Sequence, residues 1–127
     1  MGANSGQPLG YSRFRKQHFQ KIWDEQTSTN DYVDLGTYWD KTGFSIATIQ
    51  IKNTGDTNEV YHKVLGSLDG TNFDIVIVDE TTIVVEDYDL VDIGGVTEGQ
   101  YIPYVKIQIK SKVADNHSTV ESIGVCI

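Results

Sequence analysis

Alternation of apolar and polar side chains dominates residues 44–73 and constrains the fold more than any other feature of the sequence. Two alternating segments, residues 43–52 and 59–68, are separated by residues 53–56 (NTGD), and residues 69–72 (DGTN) follow the second. A period of two places every second side chain on one face of a strand, and clusters of Gly, Asn and Asp are typical of tight turns. The run therefore predicts two strands of a sheet, each with one buried face.

The same pattern continues towards the C-terminus and predicts an all-β protein. Asp79-Glu80 joins two β-branched segments that are predicted to form a hairpin, and residues 87–99 are predicted to form an acidic loop. About seven antiparallel strands without intervening helices predict a β-sandwich or jelly-roll-like domain rather than a parallel α/β sheet. The predicted strands are residues 31–35, 43–52, 59–68, 73–78, 81–86, 100–112 and 119–127.

The N-terminal part of the chain differs from the rest. Residues 1–36 are predicted to be an arm and a segment leading into a β-sandwich domain at residues 37–127. Within residues 11–25, aromatic and aliphatic side chains recur at helical spacing, which fits a short amphipathic helix. An extended arm that lies across a neighbouring molecule would use the same aromatic side chains, so both conformations remain open.

The charge distribution also separates this arm from the domain. The net charge is −8, yet the first 23 residues carry four basic residues and no acidic one, whereas the remainder carries six basic and eighteen acidic residues. An acidic domain repels nucleic acid, and the longest apolar run is too short to cross a bilayer, so neither nucleic acid nor a membrane is predicted as a partner. The four basic residues of the arm are Arg13, Arg15, Lys16 and Lys21.

The arm is the predicted partner-binding segment. Its basic residues are expected to meet an acidic surface, either on a partner or on a neighbouring copy. Phe14, Phe19, Ile22 and Trp23 are the expected apolar anchors of this contact. A basic, disordered end without a partner is the alternative.

No catalytic constellation stands out, and the chain is predicted to be non-enzymatic and to bind no cofactor. His62 alternates with valines in a predicted strand, which favours a buried structural histidine. The sequence contains no HExxH motif, no P-loop and no Gly-x-Ser-x-Gly elbow. Asp87, Asp89 and Asp92 are the best candidate calcium ligands in the sequence. Their spacing departs from that of a calcium-binding loop, so a solvated loop without a metal is predicted.

Aromatic residues near the start of the domain offer a different function. Tyr38 and Trp39 could stack on a sugar ring, because aromatic rings supply flat apolar faces with polar edges. The competing interpretation is that these rings plug one end of a sandwich core. Sugar binding would require both rings to be exposed together.

The order of turns and strands resembles that of small β-sandwich structural proteins of tailed-phage virions, including capsid decoration proteins and domains of head or tail fibres. The segments that carry the resemblance are WDKTGF at residues 39–44, IQIKNTG at 49–55, VLGSLDGTNF at 64–73 and YVKIQIKS at 104–111. The resemblance spans residues 37–127.

This resemblance implies a structural role in a virion that is assembled in the host cytoplasm. The expected protein is a capsid decoration subunit whose arm binds the shell or neighbouring copies. Its implied partners are a major capsid protein or other virion proteins, together with further copies of itself. A carbohydrate-binding or adhesive module of a tail or head fibre is the alternative.

Overall fold

The computed structural model describes residues 19–94 and 101–127, which fold as nine β-strands. The described residues contain no helix long and apolar enough to cross a membrane. The strands are β1 (Phe19–Thr27), β2 (Val33–Asp34), β3 (Trp39–Asp40), β4 (Ala47–Asn53), β5 (Val60–Ser67), β6 (Ile75–Ile83), β7 (Tyr88–Ile93), β8 (Tyr104–Ser111) and β9 (Thr119–Cys126).

The strands form two antiparallel sheets. The first has the order β1-β9-β4-β7, and the second has the order β2-β8-β5-β6. β3 also pairs with β8, further along the same edge as β2, so β2 and β3 together occupy one position. Chain connections repeatedly cross between the sheets, as they do in a jelly roll. The predicted fold class, an antiparallel β-sandwich of jelly-roll type, is confirmed.

The core lies between the sheets and is built from alternate residues of the central strands. Ile49 and Ile51 of β4 belong to the same core cluster as Ile107 and Ile109 of β8, and all four side chains are fully buried. β-branched residues suit such positions because their side chains pack well on a pleated surface. The alternation that predicted these strands is therefore the pattern of residues that the two sheets bury.

β1 lies where the sequence predicted an arm or a short helix. Trp23, at its centre, is 2% exposed and packs edge-to-face on Trp39 with ring centroids 5.7 Å apart. Its Nε1 donates a hydrogen bond to the Thr37 carbonyl oxygen at 2.9 Å. The helical interpretation fails over the described residues of this segment because β9 supplies a strand partner that β1 pairs with throughout. β1 and β2, which precede residue 37, are thus strands of the two sheets.

Two further expectations differ from the structure. Asp79-Glu80 is not a hairpin turn: β6 runs through both residues, and two register shifts against β5 accommodate them, one on each side of Val64. Such irregularities absorb extra residues without ending the strand. The predicted acidic loop contains β7, whose alternate residues Val91 and Ile93 are buried.

Candidate functional site

The predicted partner-binding residues divide into three groups. Arg13, Phe14, Arg15 and Lys16 lie outside the described residues. Phe19, Lys21 and Trp23 contact other residues of the same chain. Ile22 points away from the chain.

Contacts on the inner side of β1 explain the second group. The Phe19 ring stacks on Phe44 at 5.8 Å and remains 42% exposed. Lys21 Nζ donates to Thr37 Oγ1 at 2.9 Å and lies 5.6 Å from the Trp23 ring centroid. These contacts join β1 to Thr37, in the segment between β2 and β3, and to Phe44, in the segment after β3.

Ile22 belongs to an apolar row on the outer face of the first sheet. It pairs with Ile123 of β9, and both Ile123 and Leu90 of β7 pair with Gln50 of β4. Ile22 and Leu90 are each 61% exposed. We call Ile22, Ile123 and Leu90 the apolar row. Exposed apolar side chains aligned across a sheet are suited to contact with another molecule.

The opposite side of the sandwich, formed by β6 and β7, is acidic. Within the described residues β6 pairs with β5 alone and β7 with β4 alone, so both are edge strands. No Lys or Arg occurs between Lys63 and Lys106. This run is the sequence signal of the acidic surface, and the periodicity of single strands does not reveal it. We call this surface the acidic side. Its exposed carboxylates belong to Asp74, Asp79, Glu80, Glu86, Asp87 and Asp92.

These six carboxylates have no basic partner in the part of the chain that the structure describes. The ion pairs found there join Lys106 to Asp34, Lys112 to Glu59 and His62 to Asp89. Unpaired like charges along one side repel each other and favour a partner of opposite sign.

His62 and Asp89 form a link between the two sheets rather than an accessible catalytic pair. His62 Nε2 lies 2.8 Å from Asp89 Oδ2, and His62 is fully buried. Its Nδ1 has no hydrogen-bond partner among the described residues. Burial lowers the pKa of His62, and the hydrogen bond to Asp89 acts in the opposite direction. The predicted structural role of His62 matches this placement.

A second histidine takes part in a serine network at one end of the sandwich. Ser111 Oγ lies 2.7 Å from His117 Nδ1 and 2.7 Å from Ser28 Oγ. Ser118 continues this network by donating its backbone N–H to Ser28 Oγ and its hydroxyl to Asn53 Oδ1. Ser111 is 2% exposed, so a substrate cannot reach its hydroxyl in this structure. The network ties neighbouring loops together.

The calcium candidates do not converge. Asp87 Oδ1 accepts the Tyr88 N–H, Asp89 points inward to His62, and Asp92 accepts the Thr48 hydroxyl on the outer face. The described residues contain no cluster of three acidic, histidine or cysteine side chains that could hold a metal ion. Alternation along β7 separates these carboxylates, because neighbouring residues of a strand face opposite sides.

The predicted sugar-binding pair is divided by the fold. Trp39 is 1% exposed and lies in the core, so its ring is not available to a sugar. Tyr38 is 46% exposed and sits in an aromatic cluster with Phe73 at 5.6 Å and Tyr104 at 5.8 Å. The turn at residues 69–72 brings Phe73 to this cluster, a contact between residues far apart in sequence.

No protein-family model matches the chain, and no curated protein matches its sequence. Among solved structures, the chain is similar to a protein of Bacillus endospore appendages, which are described as disulfide-linked pili. The TM-score is 0.52 at 10% identity, over 88% of each chain.

The chain also aligns with proteins of infectious bursal disease virus particles. One has 15% identity and a TM-score of 0.47, over 87% of this chain and 31% of that one. The Gx strain gives 13% identity and a TM-score of 0.41, over 87% and 32%. At 10% identity, the comparison with the endospore-appendage protein shows a shared fold alone.

Proposed function

We propose that this chain is a non-enzymatic structural subunit of a virion, most specifically a capsid decoration subunit. It binds the shell or neighbouring copies through its N-terminal segment and the outer face of β1. One observation carries the proposal: a segment whose charges are all basic leads directly into an edge strand that exposes an apolar residue, on a body that is otherwise acidic.

The surface chemistry supports a binding role over a catalytic one. The acidic residues resist nonspecific contact with nucleic acid, while the apolar row offers area for a protein partner. Among the described residues, histidine forms a side-chain pair with Asp89 and another with Ser111. His62 of the first pair and Ser111 of the second are buried. The partners on this proposal are a major capsid protein or other virion proteins and further copies of the chain, and the working location is the virion.

The test is uptake by particles that lack the protein. The full-length variant with Arg13→Glu, Arg15→Glu and Lys16→Glu should lose co-sedimentation with such particles. The matched control reverses three exposed charges in or beside β2 and β3 of the other sheet, with Asp31→Lys, Asp34→Lys and Asp40→Lys.

The proposal is supported if the control is taken up at wild-type occupancy while the variant with Arg13→Glu, Arg15→Glu and Lys16→Glu is not taken up. Full occupancy by that variant contradicts it. Any N-terminal deletion must end at or before residue 18, because a deletion that reaches Trp23 removes part of the core.

A carbohydrate-binding or adhesive module is the second candidate. The aromatic cluster of Tyr38, Phe73 and Tyr104 favours it, and Lys106 Nζ lies 4.9 Å from the Phe73 ring centroid at the same place. A glycan array should then show binding that Tyr38→Ala abolishes. Equal array signals for Tyr38→Ala and the wild type, or no signal at all, would remove this candidate.

A further inference from the structure

The acidic side combines charge with two unpaired strand edges. β6 and β7 each have hydrogen-bond partners on one side only within the described residues. Exposed apolar side chains accompany the carboxylates along these strands: Val76 is 57% exposed and Leu90 is 61% exposed. A free edge of this kind can accept an extended segment through backbone hydrogen bonds.

The N-terminal segment has the complementary composition. Residues 11–18 (YSRFRKQH) contain three basic residues, two aromatic residues and no acidic residue. In an extended segment, Arg13 and Arg15 would project to one side and Phe14 to the other, because neighbouring residues alternate. Such a segment can present positive charge to carboxylates and an aromatic ring to the apolar side chains beside them.

Residues 11–18 are too short to cross the sheet and also run along the acidic side of the same copy. β1 and β7 are opposite edges of one sheet with two strands between them, a separation of about 14 Å. Lys16, three residues from Phe19, reaches about 10 Å, and Arg13, six residues from Phe19, reaches about 20 Å, so most of the segment would be taken up by crossing the sheet. Phe19 also lies at the end of the sheet where β7 finishes, whereas Glu86 precedes β7 at the other end. The basic residues can therefore follow the length of the acidic side only on a second copy.

We propose that residues 11–18 of one copy bind along the acidic side of a second copy. This inference rests on the proposed function and names the neighbouring surface that the N-terminal segment takes. The contact joins two different surfaces, so it repeats head to tail and gives rings or chains of subunits rather than a closed two-fold dimer.

Charge-swap complementation tests this contact with full-length chains. The arm variant carries Arg13→Glu, Arg15→Glu and Lys16→Glu. The side variant carries Asp74→Lys, Asp79→Lys and Glu86→Lys. Association is measured by sedimentation velocity at low ionic strength, where contacts between charges are least screened.

We expect each variant alone to associate at least about tenfold more weakly than the wild type, because it opposes like charges. An equimolar mixture should recover association, since each variant then meets the surface of opposite sign. The variant with Asp31→Lys, Asp34→Lys and Asp40→Lys is the control and should associate like the wild type or more tightly. Far-UV circular dichroism and urea midpoints verify the fold, and Asp74→Asn, Asp79→Asn and Glu86→Gln form a milder second set.

Zero-length coupling of amines to carboxylates locates the contact. In a mixture of isotopically light and heavy wild-type chains, Lys16 of one copy should couple to a carboxylate of residues 74–92 of another. A wild-type protein that stays monomeric, a mixture that does not recover association, or coupling to other acidic residues alone overturns the inference. If particles still take up the side variant and the wild type alike, the inference is wrong while the proposed function stands.

Discussion

Replacement of Trp23 by alanine separates a core strand from a partner-binding arm. Trp23 is 2% exposed, and a buried tryptophan removes about 150–250 Å² of surface from water. At about 25 cal/mol per Å² this corresponds to about 4–6 kcal/mol. Loss of the hydrogen bond from Nε1 to the Thr37 carbonyl oxygen adds about 1 kcal/mol. Partial collapse of the cavity reduces the total, as in measured substitutions of this type at about 3–5 kcal/mol.

We therefore expect Trp23→Ala to lower the free energy of unfolding by about 4 kcal/mol, a large fraction of the about 5–15 kcal/mol typical of a domain. Urea unfolding followed by far-UV circular dichroism measures this loss. Trp23→Phe retains part of the packing and should lose about half as much. Ile22→Ala is the matched control, because Ile22 is the next residue of the same strand and is 61% exposed.

The control should lose less than about 1 kcal/mol, because its side chain is mostly exposed. A loss below about 1 kcal/mol for Trp23→Ala would refute the placement of β1 in the sandwich. That result would instead favour a free N-terminal arm that includes residues 19–27.

Three further predictions follow from buried groups. Gly124→Ala should destabilise the protein by about 1–3 kcal/mol in urea unfolding, because the added Cβ would lie 2.6 Å from Trp39 Cζ3; an unchanged midpoint would contradict the packing of the two tryptophans over β9. Because burial lowers the pKa of His62, the unfolded chain binds more protons than the folded one below about pH 6.5, so stability should fall as the pH drops from 7.5 to 5.5. His62→Gln should flatten this dependence, and equal slopes for the two proteins would count against it. The Cys126 thiol, which is 1% exposed and whose pKa is raised by burial, should react with a thiol reagent in urea but only slowly in the native protein.

The sequence predicted the strands whose alternation is uninterrupted. β4, β5, β8 and β9 each carry inward residues at every second position; the predicted ranges contain β5, β8 and β9, and the range 43–52 contains β4 except for Asn53. β1 was missed because its pattern is mixed: Lys21 faces inward and bonds to Thr37, while Ile22 faces outward. Hydrophobic periodicity cannot identify a strand whose inward lysine is hydrogen-bonded to a residue of a distant loop.

The surfaces were less predictable than the strands. Trp39 and Tyr38 are neighbours in sequence, yet strand alternation sends one ring into the core and leaves the other exposed. Phe73 and Tyr104 join Tyr38 only because the fold brings together distant turns and strands. The acidic side was visible as a run without Lys or Arg, but its significance depends on β6 and β7 lying at the same side of the sandwich.

The most direct test of the structural role is quantitative mass spectrometry across a density gradient of lysate from the native source. A capsid decoration subunit should migrate with DNA-filled particles at a high and fixed ratio to the major capsid protein. Recovery in the soluble fractions alone would contradict a virion role and favour the carbohydrate-binding candidate.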